Sequence, residues 1–274
     1  MGARLQGKVA LVTGAGGGIG RSIAQRLAAE GAALVLLDLH DDAMGELAEA
    51  LRRGGTPVST HCADVADAQQ VRAAVEAARA ALGPVDCLVN NAGLTAVIAP
   101  LERMGDEDWA RELAVNLTGP FYLIRAVLPD MVARRWGRIV NISSAAARGG
   151  LFRQAGYSAS KSGLLGLTRN VTLEYAAQGI TCNAILPGLI ATPTVEKLPP
   201  PVFDYAMSTT PARRPGRTEE VAALVAFLCS DEAAYLNGAE IDIDGGSRLC
   251  PAVLGSTREV AERLALAQGQ HRTA

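Results

Sequence analysis

The sequence predicts an α/β fold in which a doubly wound sheet of seven parallel strands carries helices on both faces, and three observations lead there. Of the 274 residues 49% are apolar but only 4% aromatic, so Ala, Val, Leu and Ile must fill the core, as they do in parallel sheets buried on both sides. Apolar runs of strand length alternate with stretches of helical period, the pattern of successive βαβ units. No Ser/Gly linker, composition shift or repeat divides the chain, so residues 1–249 are expected to form one domain and residues 250–274 a partly helical C-terminal extension.

Taken in order, the strands are expected at Val9–Val12, Ala33–Leu37, Val58–Cys62, Cys87–Val89, Arg138–Ile142, Thr181–Leu186 and Glu240–Ile243. The helices between them are expected at Ile19–Glu30, Asp42–Arg52, Ala68–Leu82, Asp106–Arg135, Ala155–Ala177 and Glu219–Ser230. The fourth should break or bend at Pro120 and Pro129, which have no N–H to give the helical ladder. Residues 189–217 carry six prolines, Pro193, Pro199, Pro200, Pro201, Pro211 and Pro215, and so form an excursion of the kind used for lids and binding loops. In the extension, Ser256-Thr257-Arg258-Glu259 reads as a capping box, with Val260, Leu264 and Ala267 on one helical face. The extension is expected either as a short helix on its own subunit or a disordered end, or as reaching a neighbouring subunit.

Charge and cysteine usage exclude several function classes. With 26 basic and 28 acidic residues there is no long-range field to attract nucleic acid or a membrane surface. Cys62, Cys87, Cys182, Cys229 and Cys250 form no C-x-x-C pair, which argues against a zinc site or a disulfide framework and predicts small buried hydrophobes. No metal is expected. The first seven residues run directly towards a strand, too short and polar for a signal peptide, and Gln6 breaks the myristoylation pattern. A cytoplasmic protein is expected.

Between the first strand and first helix lies Thr13-Gly14-Ala15-Gly16-Gly17-Gly18-Ile19-Gly20, where a chain must turn tightly and approach a ligand. Backbone N–H groups at that helix start would face an anion such as a pyrophosphate. Asp38 ends the second strand, 20 residues beyond Gly18, where a ribose-binding carboxylate belongs. A 2′-phosphate there would cost up to about 4 kcal/mol per unit charge at ~4 Å and an effective dielectric of ~20. Half of that favours NAD over NADP by more than about tenfold.

Tyr157 and Lys161 lie four residues apart at the start of a helix, and so share one face. A phenol is a poor base at neutral pH, but an adjacent ammonium and an oxidised nicotinamide would both stabilise the phenolate. Tyr157 could then give a proton to a nascent alkoxide or take one from an alcohol. Ser143-Ser144 and Asn90-Asn91-Ala92-Gly93 both end predicted strands, where open parallel sheets bind ligands.

With these motifs in this order the chain resembles the short-chain dehydrogenase/reductase family from Gly7 to about Gly246, in its NAD-preferring single-domain form with a Rossmann fold. Thr13, Gly14, Gly18 and Gly20 meet the family's T-G-x-x-x-G-x-G pattern, within which Ile19 is the remaining cofactor-side residue, and Asn90 to Gly93 meet its N-N-A-G segment. The resemblance implies that Asn91, Ala92 and Gly93 border the cofactor, that Ser144 hydrogen-bonds the substrate oxygen, and that Tyr157 exchanges the proton. It implies that Lys161 also binds the nicotinamide ribose and that Asn116 holds a water relaying protons from Lys161. Asp64 and Val65 would contact the adenine ring, while Pro187, Gly188, Ile190 and Thr192 would clamp the nicotinamide carboxamide. A homotetramer built on the helices after Asp106 and Ala155 is implied as well.

Two other function classes fit the sequence less well. A serine hydrolase needs a nucleophile elbow and a His, but Gly156-Tyr157-Ser158-Ala159-Ser160 lacks the closing Gly and His40, His61 and His271 fall outside the motifs. A catalytically silent NAD-binding regulator would have no use for Ser144, Tyr157 and Lys161 together. Within the enzyme class, the alternative is a 3-oxoacyl-thioester reductase of the acyl-carrier-protein type using NADPH, against which Asp38 speaks. The small-molecule substrate is expected to be a mostly apolar secondary alcohol or ketone. Its walls would be the segment after Gly93, residues 145–154, and Leu189, Ile190, Val195, Phe203 and Met207, with Arg148, Arg153, Arg213 and Arg214 available for an anionic group.

Overall fold

Seven strands form one parallel sheet: β1 (Val9–Thr13), β2 (Ala33–Asp38), β3 (Val58–Cys62), β4 (Cys87–Asn90), β5 (Gly137–Ile142), β6 (Ile180–Pro187) and β7 (Glu240–Ile243). Their order is β3-β2-β1-β4-β5-β6-β7 in a computed structural model that describes residues 3–249 and 256–267. Each expected strand is present with its ends within one residue. The sheet is wound outward in two directions from β1 and β4, so the connections diverge there and open a crevice at the carboxyl ends.

Side-chain alternation builds two cores. Ala10, Val12, Leu34 and Leu36 point to one face, under α1 (Gly18–Ala29), α2 (Asp41–Arg53) and α9 (Thr218–Leu228). Leu11, Val35 and Leu37 point to the other, under α3 (Ala68–Leu82), α5 (Gly119–Arg134) and α7 (Ala155–Tyr175). Because both faces are buried, the strands read as continuous apolar runs rather than as alternating ones.

The long helical stretch is interrupted just before its first proline. α4 (Asp106–Leu113) passes into a π-helical segment, Ala114–Thr118, in which Gly119 N–H donates to the Ala114 carbonyl five residues back. Pro120 cannot serve the carbonyl of Asn116 four residues before it, so the ladder widens by one residue upstream of the proline. Pro129 lies inside α5 without ending it; its neighbours Leu128 and Met131 are buried and hold the helix to the sheet.

Three further expectations are adjusted. Cys87, Cys182 and Cys229 are buried, but Cys62 is exposed at the end of the edge strand β3, where its thiol donates to the Leu39 carbonyl at 3.2 Å; Cys250 and His271 lie outside the described residues. Two short helices precede β6 and β7: α6 (Ala146–Gly149), and α8 (Pro200–Thr209) within the proline-rich excursion. The tail helix is α10 (Thr257–Ala267), with Glu259 N–H donating to Ser256 Oγ at 3.3 Å. It lies against α8 and is tied by Glu259 to Arg213 at 2.8 Å, while Val260 and Leu264 of its expected apolar face are exposed.

Candidate active site

The carboxyl ends of β1, β2 and β4 hold the glycine loop in a form that only glycine accommodates. Gly14 has φ +61°, in the left-handed region, and a Cβ on Gly20 would collide with the Gly14 carbonyl oxygen, so α1 can start hard against the strand end. Asp38 accepts the Gly16 N–H at 2.9 Å. Thr13 Oγ1 accepts the N–H groups of Asn91 and Ala92, each at 3.0 Å, and the Asn91 side-chain amide donates to the carbonyls of Thr13 (2.9 Å) and Gly14 (3.1 Å). Loop and strand ends are therefore cross-braced before any ligand arrives.

Two cavities open along this edge. One of about 270 Å³ is lined by Gly14, Asp38, Asp64, Val65, Ala92 and Arg111, among others. The other, about 330 Å³, takes in Ile19, Ser144, Tyr157, Lys161 and the Pro187, Gly188, Ile190, Thr192 segment. Gly93 and Leu94 border both. A ligand with two heterocyclic halves fits this pair of chambers, and the N-terminus of α1, which begins at Gly18 between them, suits its central anion.

Ser144 follows β5, and Tyr157 and Lys161 stand in the first turns of α7. Ser144 Oγ accepts the Ala146 N–H at 3.1 Å and lies beside the Tyr157 phenol. Burial raises the Tyr157 phenol above its ordinary pKa, Ser144 beside it pulls it down, and the charge of Glu112 raises it further. Lys161 is buried, which lowers its ammonium to about 8, and its Nζ donates to the Ile142 carbonyl at 2.8 Å. That nitrogen lies 5.7 Å from the centre of the Tyr157 ring. One N–H of the Lys161 ammonium is thus given to the Ile142 carbonyl, and burial disfavours the charge that is expected to stabilise the phenolate.

Asn116 sits in the π segment, fully buried. Its Oδ1 accepts the Leu94 N–H at 2.7 Å, and its Nδ2 donates to the Leu94 carbonyl at 2.8 Å and to Ser160 Oγ at 3.1 Å. The side chain is thereby committed to anchoring the loop after β4.

The substrate walls are only partly as expected. Leu189, Ile190 and Val195 line the larger cavity, but Phe203 and Met207 do not, and Leu151 to Gln154 face a separate hollow beside Ala99 to Glu102. Three of the four arginines are already paired: Arg148 with Glu240 and Asp242, Arg213 with Glu259, and Arg214 with Glu220. Arg153 stacks on the Phe152 ring at 5.1 Å. Sequence reasoning missed Arg111, which pairs with Asp64 at 2.8 Å in the smaller cavity, and Glu112, whose Oε1 accepts the Ala96 N–H at 2.6 Å. Glu112 lies four residues before Asn116, a spacing that could have drawn it to the same site.

The comparisons agree with this geometry. A family model described as enoyl-(acyl carrier protein) reductase matches residues 14–248. The chain is 41% identical to a 3-oxoacyl-[acyl-carrier-protein] reductase of Thermotoga maritima, across 89% of this chain and 98% of that one. It is 37% identical to a 2-dehydro-3-deoxy-L-rhamnonate dehydrogenase (NAD(+)) of a Sphingomonas species, across 89% and 96%. The crystal structure of levodione reductase superposes with a TM-score of 0.87 at 38% identity, covering 90% of this chain and 99% of that one. The chain belongs to the short-chain dehydrogenase/reductase family, oxidoreductases that use nicotinamide cofactors.

Proposed function

We propose that this protein moves a hydride between NAD and a mostly apolar secondary alcohol or ketone, and the observation that carries the cofactor choice is Asp38. Its carboxylate caps the glycine loop and faces the smaller cavity, where it would accept both adenosine ribose hydroxyls and repel a 2′-phosphate. The amides that begin α1 would take the pyrophosphate. Asp64 and Val65 would border the adenine, and Pro187, Gly188, Ile190 and Thr192 the nicotinamide amide. When bound, the nicotinamide supplies or accepts the hydride and, oxidised, brings a positive charge into the cleft.

Ser144 and Tyr157 would hold the substrate oxygen between two hydroxyls, and Tyr157 would take the alcohol's proton during oxidation or return it during reduction. Lys161 would orient the nicotinamide ribose and, with the main-chain carbonyl of Asn116, pass protons to solvent. Pairing of Arg148, Arg213 and Arg214 within the protein supports a substrate without a strong anionic group. The exposed Phe121 of α5 and Leu173 of α7 support burial of that helix pair in a homotetramer. A second reading, reduction of 3-oxoacyl thioesters with NADPH, is favoured by similarity to the Thermotoga maritima reductase, and Asp38 stands against it.

The test is a panel of secondary alcohols, diols, hydroxy acids and a 3-hydroxyacyl thioester, each assayed for cofactor reduction. Turnover of the uncharged alcohols is expected. Turnover of anionic substrates alone, abolished by Arg153→Ala, would contradict the apolar substrate, and turnover of the thioester alone would favour the second reading.

A further inference from the structure

A buried carboxyl stands beside the site with one oxygen unused. Glu112, on α4, is fully buried. Its Oε1 accepts the Ala96 N–H at 2.6 Å, whereas Oε2 is buried without a hydrogen-bond partner. That unpaired oxygen is pressed against Gly156, the residue before Tyr157: a Cβ at Gly156 would collide with it and lie 2.7 Å from Met104 Cε. Buried ionisable groups without full pairing are costly and therefore uncommon in a merely structural role.

We propose, resting on the assignment of Tyr157 as the proton-exchanging group, that Glu112 is a positioning residue with two actions. Through Ala96 it fixes the loop that leaves β4 and walls the larger cavity, and its second oxygen, against Gly156, positions the start of α7 where Tyr157 exchanges its proton. The loop is held at two points, Leu94 by Asn116 and Ala96 by Glu112; of the residues bordering the larger cavity, Leu94 is one of these points and Thr95 lies between them. Glu112 is the group whose charge opposes ionisation of Tyr157, acting alongside burial.

The other charged or titratable groups around α7 are engaged elsewhere. Lys161, on α7 itself, donates to the Ile142 carbonyl. Arg111 of α4 pairs with Asp64, and Arg148 of α6 with Glu240 and Asp242. Arg125 of α5 lies over the rings of Phe121 and Tyr122, and burial pushes the Cys182 thiol of β6 up to about 12. Glu112 is accordingly the substitution to make.

The experiment compares the wild type with Glu112→Gln and Glu112→Leu, using NAD⁺ and the best secondary alcohol of the panel. Glu112→Gln keeps an acceptor for Ala96 and removes the charge; the low-pH limb of kcat for alcohol oxidation should move down by about half a pH unit or more, with KM unchanged. Glu112→Leu loses the anchor as well, and its KM should rise about threefold or more above that of Glu112→Gln. An unmoved or upward-shifted limb in Glu112→Gln, or equal KM values in the two variants, overturns the proposal. Tyr157→Phe in the same assay separates the premises: full activity there overturns the role of Tyr157 itself, whereas lost activity there with an unmoved Glu112→Gln limb overturns the role of Glu112 alone.

Discussion

The two halves of the cleft are built from different materials. The cofactor side, from β1 through β2 and back to β4, is backbone: a glycine loop at fixed dihedrals, strand ends cross-braced by Thr13 and Asn91, and Asp38 fastened to Gly16. The substrate side is made of side chains carried by a loop after β4, a π-widened helix and a proline-rich excursion. What is demanded of backbone must be met by particular residues at particular spacings, while what is demanded of side chains can be met by many sequences.

Tyr157→Phe should have the largest effect and keep the halves apart. We expect about 10²–10⁴-fold loss of turnover with cofactor affinity unchanged by titration; weakened cofactor binding of similar size would join the two halves into one. Gly20→Ala should do the reverse. Its Cβ would meet the Gly14 carbonyl, a backbone atom that cannot step aside, so chemical denaturation should show a loss of roughly 1–3 kcal/mol together with weaker cofactor binding. Unchanged stability would mean the loop is softer than its dihedrals indicate.

Legibility follows the same division. The seven strands, Asp38 and the Tyr157–Lys161 pair were readable because periodicity, chain spacing and helical spacing constrain them directly. Phe203 and Met207 looked like pocket walls and do not line the larger cavity; both fall on α8, where Met207 is buried, a placement that no local pattern encodes. The break expected at Pro120 takes the form of a π segment at 114–118 just before it, and Pro129 lies inside α5, since a missing N–H is felt four residues upstream of the proline. Arg111 and Glu112 belong to no motif in the sequence. Only the fold shows that one is paired with Asp64 and the other is fully buried.

Lys161 offers a smaller test on the substrate side. Burial holds its pKa at about 8, below the ordinary 10.5, so at neutral pH the folded state bears a buried charge that the unfolded state solvates. Between pH 8 and 10.5 the unfolded chain binds more protons than the folded one, and this group's contribution to stability rises with pH. Lys161→Met should therefore be more stable than the wild type at pH 7 by about 1–3 kcal/mol, reduced by the bond lost to Ile142, while inactive. Its advantage in thermal melts should shrink above pH 8; an advantage independent of pH would show that packing, rather than charge, is responsible. Glu259→Ala, at the contact between α10 and Arg213, should cost less than about 1 kcal/mol because that pair is partly exposed. A larger loss in denaturation would make the tail part of the excursion's support.

The central claim is that Asp38 makes NAD the cofactor of a proton-coupled hydride transfer. It is tested most directly by kcat/KM for NAD⁺ and NADP⁺ with the same secondary alcohol, in the wild type and in Asp38→Ala. The account predicts a preference for NAD⁺ of more than about tenfold in the wild type that collapses in the variant. A wild-type preference for NADP⁺, or an NAD⁺ preference unaffected by Asp38→Ala, would contradict it.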